Sequence, residues 1–319
     1  MAAPDTEQKT AAEALIEGLS DMGMSHLFAN FGSDHPPLIE ALARRQDQGR
    51  NQPRVVLCPH ESVALAAAHG HALVSRQAQG VIVHCDVGTQ TLGGGVHNVS
   101  RARVPVFIFA GETSVTIDGE RLGTRNRPVQ FIQDVPDQHS IVRPYMKWSY
   151  AMRTGVNARQ LACRAMQLAQ SAPRGPVYLS APREVLEEPA APWRSSNRPE
   201  SWPVLAPSVL ESGVLEELGE AVAGAERPLI ITSYLGREPA ATERLAALAE
   251  RWRVGVVEAS PAYMNLPSTH PCHLGDEAEG RLTEADLVLV LDCDVPWLPT
   301  LGEPCPGCLL YTSDAADEC

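Results

Sequence analysis

Short apolar runs alternate along this chain with longer stretches whose apolar positions recur every three or four residues. The runs at 27–31, 55–58, 80–85, 104–111, 175–180, 228–232, 254–257 and 285–292 read as buried strands. Between them, Thr10-Ala11-Ala12-Glu13 reads as a capping box opening an amphipathic helix. Further helices are predicted from Glu61 onward, over 215–222 and over 240–252. Alternation of this kind predicts an α/β protein with parallel sheets covered by helices. No internal repeat or low-complexity tract interrupts it.

Composition divides the chain. Residues 187–207 contain Pro189, Pro192, Pro199, Pro203 and Pro207 among polar residues, which predicts an extended linker. The expected organisation is a first domain over 1–186, the linker, and an incomplete Rossmann-like domain over 208–307. Residues 308–319 resemble the translation of a sequencing adapter and are expected to be foreign to the fold. A length of 319 residues, 44% hydrophobic and 20% charged, suits a soluble globular protein of about two domains. No apolar stretch approaches the ~18 residues that a membrane crossing needs. Residues 1–9 fit neither a secretory signal nor a mitochondrial presequence. A cytoplasmic location is the expectation, an organelle address at a lost carboxyl terminus being the alternative. The net charge of −13 argues against nucleic acid as the main partner.

The cysteines add little chemistry. Cys58, Cys85 and Cys293 sit in or beside apolar strands and read as small buried hydrophobes. Cys305 and Cys308 have redox or zinc spacing, but the second lies in the suspect tail. His270-Pro271-Cys272-His273 lacks a second ligand pair and reads as a loop rather than a zinc site.

One run stands apart. Val55-Val56-Leu57-Cys58 leads into Pro59-His60-Glu61-Ser62 and an alanine-rich helix ending near His69-Gly70-His71-Ala72. A carboxylate at a helix start, just past a buried strand, can be held rigidly at a cleft. This run resembles the cofactor-activating segment of thiamine diphosphate enzymes. The Gly32-Ser33-Asp34 turn, the 80–85 strand with the Gly88–Gly95 loop after it, Gln133-Asp134, Lys147-Trp148-Ser149-Tyr150 and the 175–180 strand follow the order of that family. The resemblance reaches Gly307 and is closest to acetolactate synthase-like members, with echoes of benzoylformate decarboxylase.

The resemblance implies a pyrimidine-binding domain followed by a truncated central domain. It implies that Glu61 relays a proton to the cofactor's pyrimidine, and that Gly88, Thr89, Gln90 and Gln133 line the same end of the cofactor. Gly32-Ser33 and His84, four residues before Gly88-Thr89, match the decarboxylase pattern. Ser33 is thus implied to hold a substrate carboxylate and His84 to move protons. Arg121, Arg125 and Arg127 could attract an anionic substrate, though a solvated loop is the plainer reading. The family's Gly-Asp-Gly motif for diphosphate and Mg2+ is absent. This chain alone is therefore expected to hold thiamine diphosphate only by its pyrimidine end, with Mg2+ supplied through a missing C-terminal domain. The resemblance leaves FAD in the central domain as an open alternative.

The expected activity of the full-length protein is decarboxylation and carboligation of 2-oxo acids, as a homodimer or homotetramer. A 2-oxo acid decarboxylase is the alternative. A non-catalytic binding module of the same fold is a third reading, which the retained Glu61 disfavours. A nicotinamide dehydrogenase lacks its G-x-G-x-x-G.

Overall fold

The computed structural model describes residues 8–192, 198–205 and 209–313. It divides into two compact units, Met1–Ala206 and Pro207–Cys319. The first unit contains a six-stranded sheet, entirely parallel, in the order β2-β1-β3-β4-β6-β5. Its strands are β1 (His26–Ala29), β2 (Arg54–Leu57), β3 (Gln79–Val83), β4 (Val106–Glu112), β5 (Trp148–Ala151) and β6 (Val177–Pro182). Helices α1 (Ala11–Asp21), α2 (Pro36–Asp47), α3 (Glu61–Ser75), α4 (Val87–Gln90), α5 (Gly93–Arg101), α6 (Val129–Ile132), α7 (Ala158–Gln170) and α8 (Arg183–Glu187) connect them.

Burial explains the layers. β3 is buried throughout and β4 nearly so, and both read as continuous apolar runs because helices cover each face. One core cluster unites Leu15, Leu19, Leu27, Phe107, Phe109 and Met166, from α1, α7 and one face of the sheet. A second unites Leu65, Ala68, Val81, Val83, Val96 and Tyr178, under α3 and α5. Fully burying one such large apolar side chain contributes about 2 kcal/mol. The predicted capping box is present: the Glu13 N–H donates to Thr10 Oγ1 at 3.3 Å, and the Thr10 N–H donates to Glu13 Oε2 at 2.8 Å.

The chain runs from β1 out to β2, then crosses back to β3 on the other side of β1. The turns leaving β1 and β3 therefore diverge from adjacent strand ends. In an open parallel sheet this switch point forms a crevice at the carboxyl edge.

The second unit carries a parallel sheet in the order β10-β9-β7-β8. Its elements are α9 (Ser212–Gly224), β7 (Pro228–Thr232), α10 (Pro239–Trp252), β8 (Gly255–Glu258), α11 (Glu279–Leu282), β9 (Leu287–Leu291) and β10 (Leu309–Ser313). Two predictions look different here. The proline-rich stretch expected to be an extended linker is partly bonded to the rest of the first unit. The Ala11 N–H donates to Glu188 O at 2.8 Å, and the Leu205 N–H donates to Ser171 Oγ at 3.0 Å. Residues 309–313, expected to lie outside the fold, pair in register with β9; residues 314–319 lie outside the described part. No helix among the described residues is long and apolar enough to cross a membrane.

Candidate active site

Four chain segments meet above the β1/β3 switch point. β1 delivers Gly32, Ser33 and Asp34; β3 delivers His84 and Cys85; β2 leads to Glu61; and β4 ends in Gly111-Glu112. Asn30 Nδ2 donates to Cys58 O at 2.9 Å, tying the β1 exit to the segment that carries Glu61.

Glu61 is the first residue of α3. His60 precedes it with extended backbone (φ −155°, ψ 149°) and caps the helix by accepting the Ser62 N–H on Nδ1 at 3.2 Å. The helix dipole favours a carboxylate at this position. The Glu61 side chain is only 14% exposed, and His60 Nδ1 lies 3.9 Å from its Oε2.

What faces it is a bare backbone. A Cβ placed on Gly88 would lie 3.4 Å from Glu61 Oε1 and 3.2 Å from His84 Cβ. Gly88 thus lies between the Glu61 carboxylate and the Cβ of His84, close to both. The loop around it is held firmly. Asp86 adopts a positive φ of 45°, a conformation costing about 1–3 kcal/mol for a residue with a side chain. Gln138 Oε1 accepts the Asp86 N–H at 2.8 Å, and Gln90 Nε2 donates to Asp86 Oδ1 at 2.8 Å.

The other arm of the site is a carboxylate–histidine pair. His84 Nδ1 donates to Asp34 Oδ1 at 2.5 Å, and the Cys85 N–H donates to Asp34 Oδ2 at 3.1 Å. The Asp34 side chain is 5% exposed and that of His84 26%. The hydrogen bond to Asp34, then that to Cys85, pushes His84 up to about 10 against the opposing effect of burial. Burial by itself would raise the Asp34 carboxyl. The neighbouring His35, then the bond and charge of His84, outweigh it and hold Asp34 below its ordinary value. Cys85 Sγ lies 3.8 Å from His84 Nε2 and accepts Gln133 Nε2 at 3.0 Å.

The residues singled out from the sequence thus fall into two groups. Glu61, Gly88 and His84 converge; Gln133 joins them through Cys85, and Ser33 is exposed on the turn beside Gly32. Thr89 turns inward instead. It is fully buried, and its hydroxyl pairs with Tyr178 OH at 2.8 Å. Gln90 braces Asp86. Arg121 pairs with Glu188 at 3.2 Å, and Arg125 donates to Ser114 O and pairs with Asp134, so both pin their own loop. Sequence reading missed Asp34 as a site residue. The only signal was an acid following Gly-Ser in the turn after β1. It also missed the hydrogen bonding of Cys85, whose thiol is buried as expected.

The site's residues fit the pyrimidine end of a thiamine cofactor. A poised carboxylate facing a cradle that a Cβ would narrow is what a flat, nitrogen-bearing ring requires. Magnesium does not fit. Among the described residues one group has metal-ligand spacing, Asp34, His84 and Cys85, and it mixes nitrogen and sulfur where Mg2+ prefers oxygen. His273 Nε2 lies 2.8 Å from Glu258 Oε2.

Comparison with known proteins decides the family. Residues 9–141 match the thiamine pyrophosphate enzyme N-terminal TPP binding domain, and residues 215–306 match the central domain of the same enzymes. The chain belongs to the thiamine pyrophosphate enzyme family. A benzoylformate decarboxylase of Pseudomonas aeruginosa is 25% identical over 84% of this chain and 47% of its own length. An acetolactate synthase of Arthrospira platensis is 25% identical over 83% of this chain and 44% of its own. The chain spans about half the length of these curated relatives. The solved structure of a Rhodococcus jostii RHA1 thiamine diphosphate-dependent 4-hydroxybenzoylformate decarboxylase shares the fold, with a TM-score of 0.76, 24% identity and coverage of 95% of this chain and 56% of that one. As a member of this family, the chain has the two parallel-sheet domains expected.

Proposed function

We propose that this chain is the pyrimidine-binding and central part of a thiamine diphosphate enzyme that decarboxylates a 2-oxo acid. The observation that carries the reading is the convergence of Glu61 and His84 across the bare face of Gly88. Thiamine diphosphate, when bound, supplies the electron sink for the carbon–carbon bond that breaks. Glu61 holds and passes a proton at its carboxylate. Gly88 keeps the space beside it open. Ser33, exposed at the crevice, offers its hydroxyl to the substrate carboxylate. His84 carries a proton and gives it to the substrate. A charged, carboxylate-braced histidine supports protonation as the ending of the reaction, which favours an aldehyde product. Carboligation, the acetolactate synthase-like outcome, is the second reading, supported by the sequence order across the whole chain.

Mg2+ and the diphosphate are assigned to a C-terminal domain outside this sequence, and the working protein to a dimer or tetramer. In the second unit, Tyr234 OH donates to Asp294 at 3.0 Å and Arg237 pairs with Asp292, next to the ends of β7 and β9.

The test uses the chain continued at its natural locus through the diphosphate-binding domain, with a panel of 2-oxo acids. Aldehyde and CO2 without an acetohydroxy acid are expected. An acetohydroxy acid as main product overturns the decarboxylase reading in favour of carboligation. Changing Glu61 to Gln is expected to lower turnover by about 100-fold or more; unchanged turnover refutes the proton-relay role.

A further inference from the structure

We propose that Asp34 is the positioning residue of this site: it fixes which ring nitrogen His84 turns away from the substrate and holds that histidine in its charged, proton-donating form. Asp34 and His84 lie fifty residues apart in sequence and meet only because β1 and β3 are neighbours at the switch point.

The pair has been given its room. A Cβ on Gly111 of β4 would fall 1.5 Å from Asp34 Oδ2, and one on Gly32 would fall 2.1 Å from His84 Nδ1 and 2.6 Å from Asp34 Oδ1. Neither position tolerates a side chain while the pair stays where it is. The carboxylate is also anchored without the histidine's help, because the Cys85 N–H holds Oδ2. The ring therefore orients to a fixed acceptor, with Nδ1 toward Asp34 and Nε2 on the side away from it.

The groups facing His84 leave Asp34 as its main partner. His35 stacks edge-on with its ring centroid 6.5 Å away. Its Nδ1 accepts the Gly32 N–H at 2.9 Å and so carries no proton there, and burial pushes His35 down. Cys85 Sγ lies beside Nε2, and Glu61 reaches the same side of Gly88 as His84 Cβ. With one carboxylate bonded directly, the ring stays charged through neutral pH. In the reaction the proton leaves Nε2 for the substrate. Neutral imidazole remains bound to Asp34 through Nδ1–H, and solvent returns the proton.

The catalytic role rests on the decarboxylase reading above; the protonation state does not. Imidazole nitrogen NMR on the present chain tests the latter without cofactor or turnover. In the wild type, both His84 nitrogens are expected to be protonated at pH 7, with a midpoint of about 10. In Asp34→Asn the midpoint is expected to fall by at least tenfold in acidity, with the backbone amide fingerprint retained. A wild-type His84 that is neutral at pH 7 overturns the proposal, whether or not the variant folds. So does a folded Asp34→Asn protein with an unmoved midpoint. Failure to find aldehyde product with a charged His84 overturns the decarboxylase reading alone.

Discussion

Among the described residues, each unit of this protein has a carboxylate hydrogen-bonded to a histidine at the carboxyl edge of its sheet, and the two pairs are held differently. Asp34–His84 bridges two neighbouring strand exits, at a switch point. Glu258 ends β8, the outermost strand of its sheet, and meets His273 from the loop that follows. Glu258 spends its lone pairs on a loop: Oε1 accepts the N–H groups of Asn265 and Leu266 and Asn265 Nδ2. Burial works to raise the Glu258 carboxyl, but these bonds and His273 prevail and hold it down. Asp34 Oδ2 accepts the Cys85 N–H and Oδ1 accepts His84 Nδ1, with His35 Nδ1 3.5 Å from the same oxygen. The lesson is to ask where a buried carboxylate's remaining lone pairs go. Glu258 closes a loop with them, whereas Asp34 holds a ring that is 26% exposed.

The largest test of this contrast is removal of the carboxylates. Asp34→Ala leaves the Cys85 N–H without its acceptor and His84 without its partner, and is expected to cost about 3 kcal/mol of stability, read by urea unfolding of the first unit. A loss below about 1 kcal/mol would place Asp34 with ordinary surface acids. Next comes Gly111→Ala, where the new methyl meets Asp34 Oδ2 and the pair must shift. About 1–3 kcal/mol is expected, together with displacement of the His84 ring resonances. Glu258→Gln keeps an acceptor for the loop and is expected to cost about 1 kcal/mol, with faster hydrogen exchange confined to residues 259–266.

The smallest effect is a difference in pH response. Both carboxyls are held below their ordinary values, so each contributes stability above its unfolded value and loses it as pH falls through the folded one. Both units should weaken in acid. His84 is raised, so its contribution is full below 6.5 and is lost as pH rises towards about 10. Alkaline weakening traceable to this pair should therefore appear in the first unit and disappear in Asp34→Asn. Unit-resolved hydrogen exchange between pH 7 and 10 checks it.

Much of this was legible in the sequence. The strands are continuous apolar runs because both sheet faces are covered, and the structure shortens or shifts most by only a few residues at their ends. Glu61 and His84 were legible because each sits in a local pattern, a strand followed by a turn or helix start. The Asp34–His84 bond was not, since it depends on strand order rather than on neighbours in sequence. Thr89 shows the converse. Its place in a Gly-Thr pair pointed to the cofactor, but Tyr178, eighty-nine residues later, takes its hydroxyl into the core. Only the packing of β6 against β4 could reveal that.

The bare backbone at Gly32 and Gly111 makes the pair portable only as a set. A designer transplanting this acid–base couple into another parallel sheet would need four positions on three strand exits, two of them vacant. For anyone scanning uncharacterised chains, those two vacancies are as good a fingerprint as the aspartate and histidine themselves.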